Sequence, residues 1–223
     1  LFTNYTSNTA GKAGVMYYNE DTYQWGKMEA NGAFTANTGD GNSGNDDHYN
    51  LDRSGIHSYY GMHSKMAGDG KSVLVGGYHH HDLGTQSIWQ FNEETYEWGK
   101  FGPNYESFTA GTPHEVTRSS TVGHHGHCLD ISADGRTVLV SGHWRAGYWE
   151  NKIFLWQYNA ETAEWGKFNA DGSFEKPTSN SDHSKVWMHS STDTFTAGCA
   201  LSPDGSTFCG LNSKARIWRG VIV

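Results

Sequence analysis

The stretch Asn92-Glu93-Glu94-Thr95-Tyr96-Glu97-Trp98-Gly99-Lys100 has two sister versions in the same chain. They are Asn19-Glu20-Asp21-Thr22-Tyr23-Gln24-Trp25-Gly26-Lys27 and Asn159-Ala160-Glu161-Thr162-Ala163-Glu164-Trp165-Gly166-Lys167. The tryptophans stand 73 and 67 residues apart, a period that holds one four-stranded sheet with generous loops. A second anchor runs in step with the first: Asp69-Gly70, Asp134-Gly135 and Asp204-Gly205, each followed after one residue by Ser or Thr and a short apolar run. Asp-Gly between apolar segments predicts a hairpin turn, because glycine takes a positive φ without steric penalty.

The remaining pieces fall into place around these anchors. An aromatic strand precedes each Asn-x-x-Thr turn: Val15-Met16-Tyr17-Tyr18, Ser87-Ile88-Trp89-Gln90-Phe91 and Ile153-Phe154-Leu155-Trp156-Gln157-Tyr158, with a further copy at Ala215-Arg216-Ile217-Trp218. Each unit therefore reads as strand, Asp-Gly turn, strand, loop, aromatic strand, Asn-x-x-Thr turn, and finally the Trp-Gly-Lys strand at the outer edge. The apolar runs are continuous rather than alternating, which predicts sheets buried on both faces. The expected fold is all-β and propeller-like, with three internal repeats of about 70 residues, each a four-stranded antiparallel unit. The 223 residues form one repeat domain with units at about 1–60, 61–125 and 126–196, the first closed by the C-terminal strands 197–219.

The run Leu129-Asp130-Ile131-Ser132-Ala133-Asp134-Gly135-Arg136-Thr137-Val138-Leu139-Val140-Ser141-Gly142, with a Trp-bearing strand after it, resembles the Ser-x-Asp-Gly repeats of β-propellers related to the WD40-like and FG-GAP groups. The resemblance spans all the units and implies the architecture alone. Asp130 to Asp134 lacks the Asp-x-Asp-x-Asp spacing of the FG-GAP calcium loop, and Lys65 and Ala200 stand where Asp130 does in the other copies. Calcium binding is not carried over. The Gly-His and Trp-Asp signatures of WD40 blades are also missing.

Composition excludes several functions. The formal charge is −8, with only 16 Lys plus Arg, so a nucleic-acid backbone is repelled rather than held. No apolar run reaches the roughly 20 residues of a helical membrane span. The low charge content and the single Asn4-Tyr5-Thr6 glycosylation pattern, with Asn4 as acceptor, point to an extracellular or cell-surface protein. Of the three cysteines, Cys199 and Cys209 fall opposite each other if Ser202 to Ser206 closes a hairpin with a three-residue loop, and a slip of one residue abolishes that match. Two buried thiols are the alternative.

The long connections gather at one end of the sheets, far exceeding the usual ~4–6 residues, and long loops commonly carry function. A Phe follows each repeated Trp by nine or ten residues, at Phe34, Phe108 and Phe174. His48, His114 and His183 stand 21 or 22 residues before the Asp-Gly glycines, and three such imidazoles converging on an axis can hold zinc or another transition metal. Their other reading is that each bonds a loop carbonyl or carboxylate. No cofactor is required otherwise. Tyr78, His79, His81, His143, Trp144, Arg145, Tyr148, Trp149 and Trp187 place rings and polar groups on the loop face, suited to stacking on sugars or anchoring a protein. No nucleophile stands beside a base, so the expectation leans away from an enzyme. The expected partner is a carbohydrate or a protein, including a second copy of the chain. The alternatives are a metal-binding protein or metal-dependent enzyme with a three-His site, and a structural subunit that assembles by strand exchange.

Overall fold

A computed structural model describes residues 2–4, 12–37, 49–51, 61, 63–77, 85–116, 124–145, 149–177, 187–191, 198–211 and 215–219. Among them are β-strands, turns and one 3-10 turn at Pro103–Tyr105, with no α-helix. The first segment holds β1 (Phe2–Asn4), β2 (Lys12–Val15), β3 (Tyr17–Asn19), β4 (Gln24–Met28), β5 (Phe34–Ala36) and β6 (Tyr49–Asn50). The second holds β7 (His63–Met66), β8 (Ser72–Gly77), β9 (Thr85–Asn92), β10 (Glu97–Phe101), β11 (Phe108–Ala110) and β12 (His114–Glu115). The third holds β13 (His124–Ile131), β14 (Thr137–Arg145), β15 (Trp149–Asn159), β16 (Glu164–Phe168), β17 (Phe174–Glu175) and β18 (Trp187–Ser191). The last has β19 (Gly198–Leu201), β20 (Thr207–Leu211) and β21 (Ala215–Arg219).

Every described pairing is antiparallel, and the second and third segments share one strand order, β7-β8-β9-β10-β11 and β13-β14-β15-β16-β17. The aromatic strand is longer than its Trp-Gly-Lys partner, and the chain uses the remainder of its edge. After the turn, β10 pairs with Gln90 to Asn92 of β9; the chain then makes β11 and returns as β12 to pair with Ser87 and Ile88. β15 is shared in the same way by β16 and β18, and β2 and β3 by β6 and β4.

Local chemistry sets the turns. Asn19, Asn92 and Asn159 each accept the backbone N–H two residues on through Oδ1, at 2.9 Å, and this Asx turn is why asparagine opens each copy. In the Asp-Gly turns the glycines take φ of 71°, 69° and 72°, and Asp69, Asp134 and Asp204 accept the N–H two residues ahead. The turns also link one sheet to the next: Asp69 N–H donates to the Ala133 carbonyl at 2.9 Å, and Ala133 N–H to the Pro203 carbonyl at 2.7 Å.

The continuous apolar runs are buried on both faces, as expected. Val73, Val75 and Trp89 face Ala13, Val15 and Leu51 of the preceding sheet. Leu74 and Ile88 face the opposite way, toward Leu129, Ile131, Val138 and Val140 of the following one. Leu139, Ile153 and Leu155 continue the series against Phe208. Period-two alternation thus feeds two cores from each strand, and the sheets stack in chain order.

Four expectations are corrected here. The Trp-Gly-Lys strand is not the outer edge: β5, β11 and β17 lie beyond it and carry the repeated phenylalanines. This explains the glycine. A Cβ on Gly26, Gly99 or Gly166 would run into the backbone carbonyl oxygen of Thr35, Thr109 or Glu175, with the Phe34, Phe108 or Phe174 ring within 2.8 Å. Ring closure is the second: among the described residues β19, β20 and β21 pair only with one another, and no sheet closes into a barrel or ring. Third, the last Asp-Gly hairpin has a four-residue loop, since Ser202 N–H bonds the Thr207 carbonyl. Cys199 consequently lies opposite Gly210, and Cys209 opposite Ala200. Fourth, the one-residue slip turns the two cysteines to opposite faces, and the disulfide joins Cys128 to Cys199 instead, leaving Cys209 free. That bond ties β13 to β19 across two stacked sheets, alongside Asp130 Oδ2, which accepts Leu201 N–H at 2.7 Å.

Candidate functional site

The returning strands place one of the repeated histidines, His114. His114 lies opposite Ile88, three residues before Phe91, the partner of Trp98. The same position, opposite Val15 and Leu155, belongs to Tyr49 and Trp187. His48 and His183 lie outside the described residues, and the register equivalents of His114 are aromatic residues, not histidines. The three-His equivalence comes from counting back from Asp-Gly through connections of different internal layout, which does not preserve strand register.

His114 has a structural task. It is 8% exposed, its Nε2 is 3.0 Å from Gln90 Oε1, and its ring meets Tyr158 edge-on at 5.3 Å. Neutral imidazole with its hydrogen on Nε2 satisfies the Gln90 contact. Burial, and secondarily the Lys100 charge, push its pKa down to about 4 against a smaller upward pull from the Phe101 backbone. Tyr49 does the equivalent job in the first segment: its hydroxyl donates to the Met28 carbonyl at 2.9 Å and accepts the Met28 N–H at 3.0 Å, with burial raising its pKa to about 12. Both residues brace the end of a Trp-Gly-Lys strand. Among the described residues no group of three or more His, Cys, Asp or Glu is placed to hold a metal ion.

Of the expected loop-face residues, Tyr78, His79, His81 and Tyr148 lie outside the described residues. His143, Trp144 and Arg145 are on β14, not in a loop, with their backbones opposite Asn151, Glu150 and Trp149 of β15. His124 lies opposite His143 on the other side. Trp187 opens β18, opposite Leu155. The structure thus brings His143, Trp144, Arg145 and Trp149 to one end of one long hairpin. Asn4 ends β1, opposite Lys12.

Two clefts lie at the other end, among the tight turns. One, of about 520 Å³, is lined by Asp69, Lys71, Gln90, Asn92, Glu93 and Phe91 from one side and Asp134 and Arg136 from the next sheet. A second, of about 550 Å³, is lined by Asp134, Arg136, Gln157, Tyr158, Asn159 and Asp204. Position by position they are the same cleft repeated, with Arg136 in both. Gln90 and Gln157 form a matching floor, accepting the N–H of Phe101 and Phe168 at 3.1 and 3.0 Å.

The copies differ at the lip. Where the other segments use Glu29 to Ala33 or Asn169 to Ser173 around a glycine, the first cleft has Gly102-Pro103-Asn104-Tyr105-Glu106-Ser107. Asn104 and Tyr105 both take left-handed backbone, φ 52° and 61°, which asparagine adopts readily and which costs a tyrosine about 1–2 kcal/mol. Asn104 N–H is held by the Ala160 carbonyl at 2.7 Å, across to the following sheet. The result is a half-exposed Tyr105 ring, its hydroxyl accepting from Arg136 Nη2 at 3.3 Å and its inner edge on Phe101 at 5.3 Å. Around it stand the Lys71–Glu93 pair at 2.7 Å, Glu106 and Asp134. Sequence reasoning passes over this site. The one signal for it is the unit whose turn gains a residue and has no glycine at the place of Gly32 and Gly172.

No family model matches the chain, and no curated protein matches it. Among solved structures, a chain of "Crystal Structure of Mitotic Checkpoint Complex" is similar at 13% identity over 98% of this chain and 86% of that one. Its TM-score of 0.23 is too low to carry any argument.

Proposed function

We propose that this is a non-catalytic binding protein, a propeller-like stack of three related units that works outside the cell or at its surface, and that it takes a carbohydrate in the cleft beneath Tyr105. The observation that carries this is the strained lip: two consecutive left-handed residues hold an exposed aromatic ring, braced by Arg136, over a cleft whose sister copy lacks it. Backbone strain of this kind concentrates at ligand sites. A flat ring beside Arg136, Lys71, Glu106 and Asp134 suits a sugar, which offers an apolar face to stack on and hydroxyls that both donate and accept. A disulfide fits an oxidising compartment.

The test is binding to a broad array of oligosaccharides, with Tyr105→Ala and Arg136→Ala beside the parent and Trp144→Ala as the loop-face comparison. Loss of a stacking ring worth roughly 1.4 kcal/mol weakens binding about tenfold. Binding lost in the first two variants and kept in the third supports the cleft. Binding that survives Tyr105→Ala and fails in Trp144→Ala moves the site to the long loops, and silence across the array removes the carbohydrate.

A further inference from the structure

The cleft beneath Tyr105 and its sister adjoin. Asp134 and Arg136 line both, and both side chains are exposed, so what stands between the clefts is a ridge at the level of solvent. The lip is built across that ridge. Asn104 N–H is held by the carbonyl of Ala160, a residue of the second lining, and the Tyr105 ring lies 6.4 Å from that of Tyr158, another. Each cleft, at about 520 and 550 Å³, has the size of a small-ligand site by itself, and stacked sheets set such sites about 10 Å apart.

The linings match position by position. Gln90, Asn92 and Glu94 of the first are answered by Gln157, Asn159 and Glu161 of the second, and Lys71 by Arg136. One exchange breaks the match. Lys71 is paired with Glu93 at 2.7 Å, but Ala160 stands at the position of Glu93, so the carboxylate that holds Lys71 has no counterpart for Arg136. The guanidinium lies 6.0 Å from the centre of the Tyr105 ring instead and donates to its hydroxyl. With five N–H donors in a planar fork, it is placed where a ligand crosses from one cleft to the other. Across both linings seven Asp and Glu residues outnumber the two cations, Lys71 and Arg136, a balance that repels an acidic chain.

We infer that the two clefts are subsites of one groove, and that its ligand is a linear oligosaccharide without acidic groups running along the stack of sheets. One part of the chain stacks on Tyr105 in the first cleft, the crossing is hydrogen-bonded by Arg136, and the next part sits over Gln157 and Asn159 in the second. The inference rests on the carbohydrate reading of the first cleft and extends it. The first cleft, with its ring, anchors the chain. The second, which lacks one, adds affinity because a tethered sugar meets it at high effective concentration.

Calorimetric titration tests this with the disaccharide and the longer homologues of the series that gives the strongest signal on the oligosaccharide array. The longer homologues should bind the parent at least about tenfold more tightly than the disaccharide, one ligand to each protein, and Tyr105→Ala should weaken both lengths. Amide signals of nitrogen-15-labelled protein provide the second readout. The signals of Glu161 and Gly172, which line the second cleft alone, should shift with the longer homologues, while that of Gly32, outside both linings, stays in place. An affinity that does not rise with length, or a rise that leaves the Glu161 and Gly172 signals unmoved, overturns the groove while the carbohydrate reading stands. Array signals confined to acidic chains overturn it in the same way, and an array silent throughout removes both.

Discussion

His114 is held neutral by its surroundings, and acid should expose that as lost stability. Its folded pKa of about 4 lies below the ordinary 6.5, so between these values the unfolded chain binds a proton that the folded chain refuses. Stability from this group is complete above about pH 6.5, falls as pH drops toward 4, and is flat below. Each tenfold loss of proton affinity on folding is worth about 1.36 kcal/mol, and with the side chain almost fully buried no large solvent discount applies, so the full loss is about 3 kcal/mol and the loss at pH 4.5 about 2.5 kcal/mol. The perturbation is His114→Tyr, the residue that Tyr49 shows to fit this register position, with His114→Gln as a second, smaller replacement. Urea unfolding followed by tryptophan emission at pH 7.5, 6.5, 5.5 and 4.5 gives the measurement. Carboxylates and the other histidines, His63 among them, titrate in parent and variants alike and cancel in the difference. The parent should lose about 2.5 kcal/mol more than either variant between pH 7.5 and 4.5. Parallel curves for all three proteins would refute the claim that the Gln90–His114–Tyr158 packing excludes the charged ring.

Two further outcomes follow from the stack. Cys128→Ser should lower unfolding free energy by about 4 kcal/mol, the chain-entropy value for a loop closed across 71 residues, while Cys209→Ser changes it by less than about 0.5 kcal/mol; denaturant titration with and without reductant separates them, and equal effects would contradict the pairing. Gly99→Ala should cost about 1–3 kcal/mol, because its methyl group must displace the Thr109 carbonyl and the Phe108 ring; an unchanged urea midpoint would mean that β11 does not lie against β10.

Much of the fold is legible because turn chemistry is local. Asn92 and Asp69 bond to N–H groups two residues away, so their spacing in the sequence already contains the hairpins, and the continuous run Val73-Leu74-Val75 already contains two buried faces. The short strand β11 escapes such reasoning. Phe108 reads as a loop residue until its ring is seen over Gly99, a contact between positions nine apart that no periodicity announces. The cysteines illustrate the opposite hazard: the hairpin is correctly placed, yet one extra loop residue reverses which face Cys199 occupies. The loop-face candidates stand out in the sequence as rings in long connections. The lip at Tyr105 does not, because its meaning lies in a departure from its sister turns.

By itself, then, the amino-acid order determined the repeat, the turns, the all-β class and sheets with two apolar faces, since each depends on groups within a few residues of one another or on side-chain alternation along one strand. Tertiary structure alone decided which strand edges are shared, which residues hold equivalent positions, that Cys128 bonds Cys199, and that His114 is buried against Gln90 and Tyr158. Those outcomes turn on register and on what lies across the neighbouring sheet, where a shift of one residue or the presence of one more layer reverses the result.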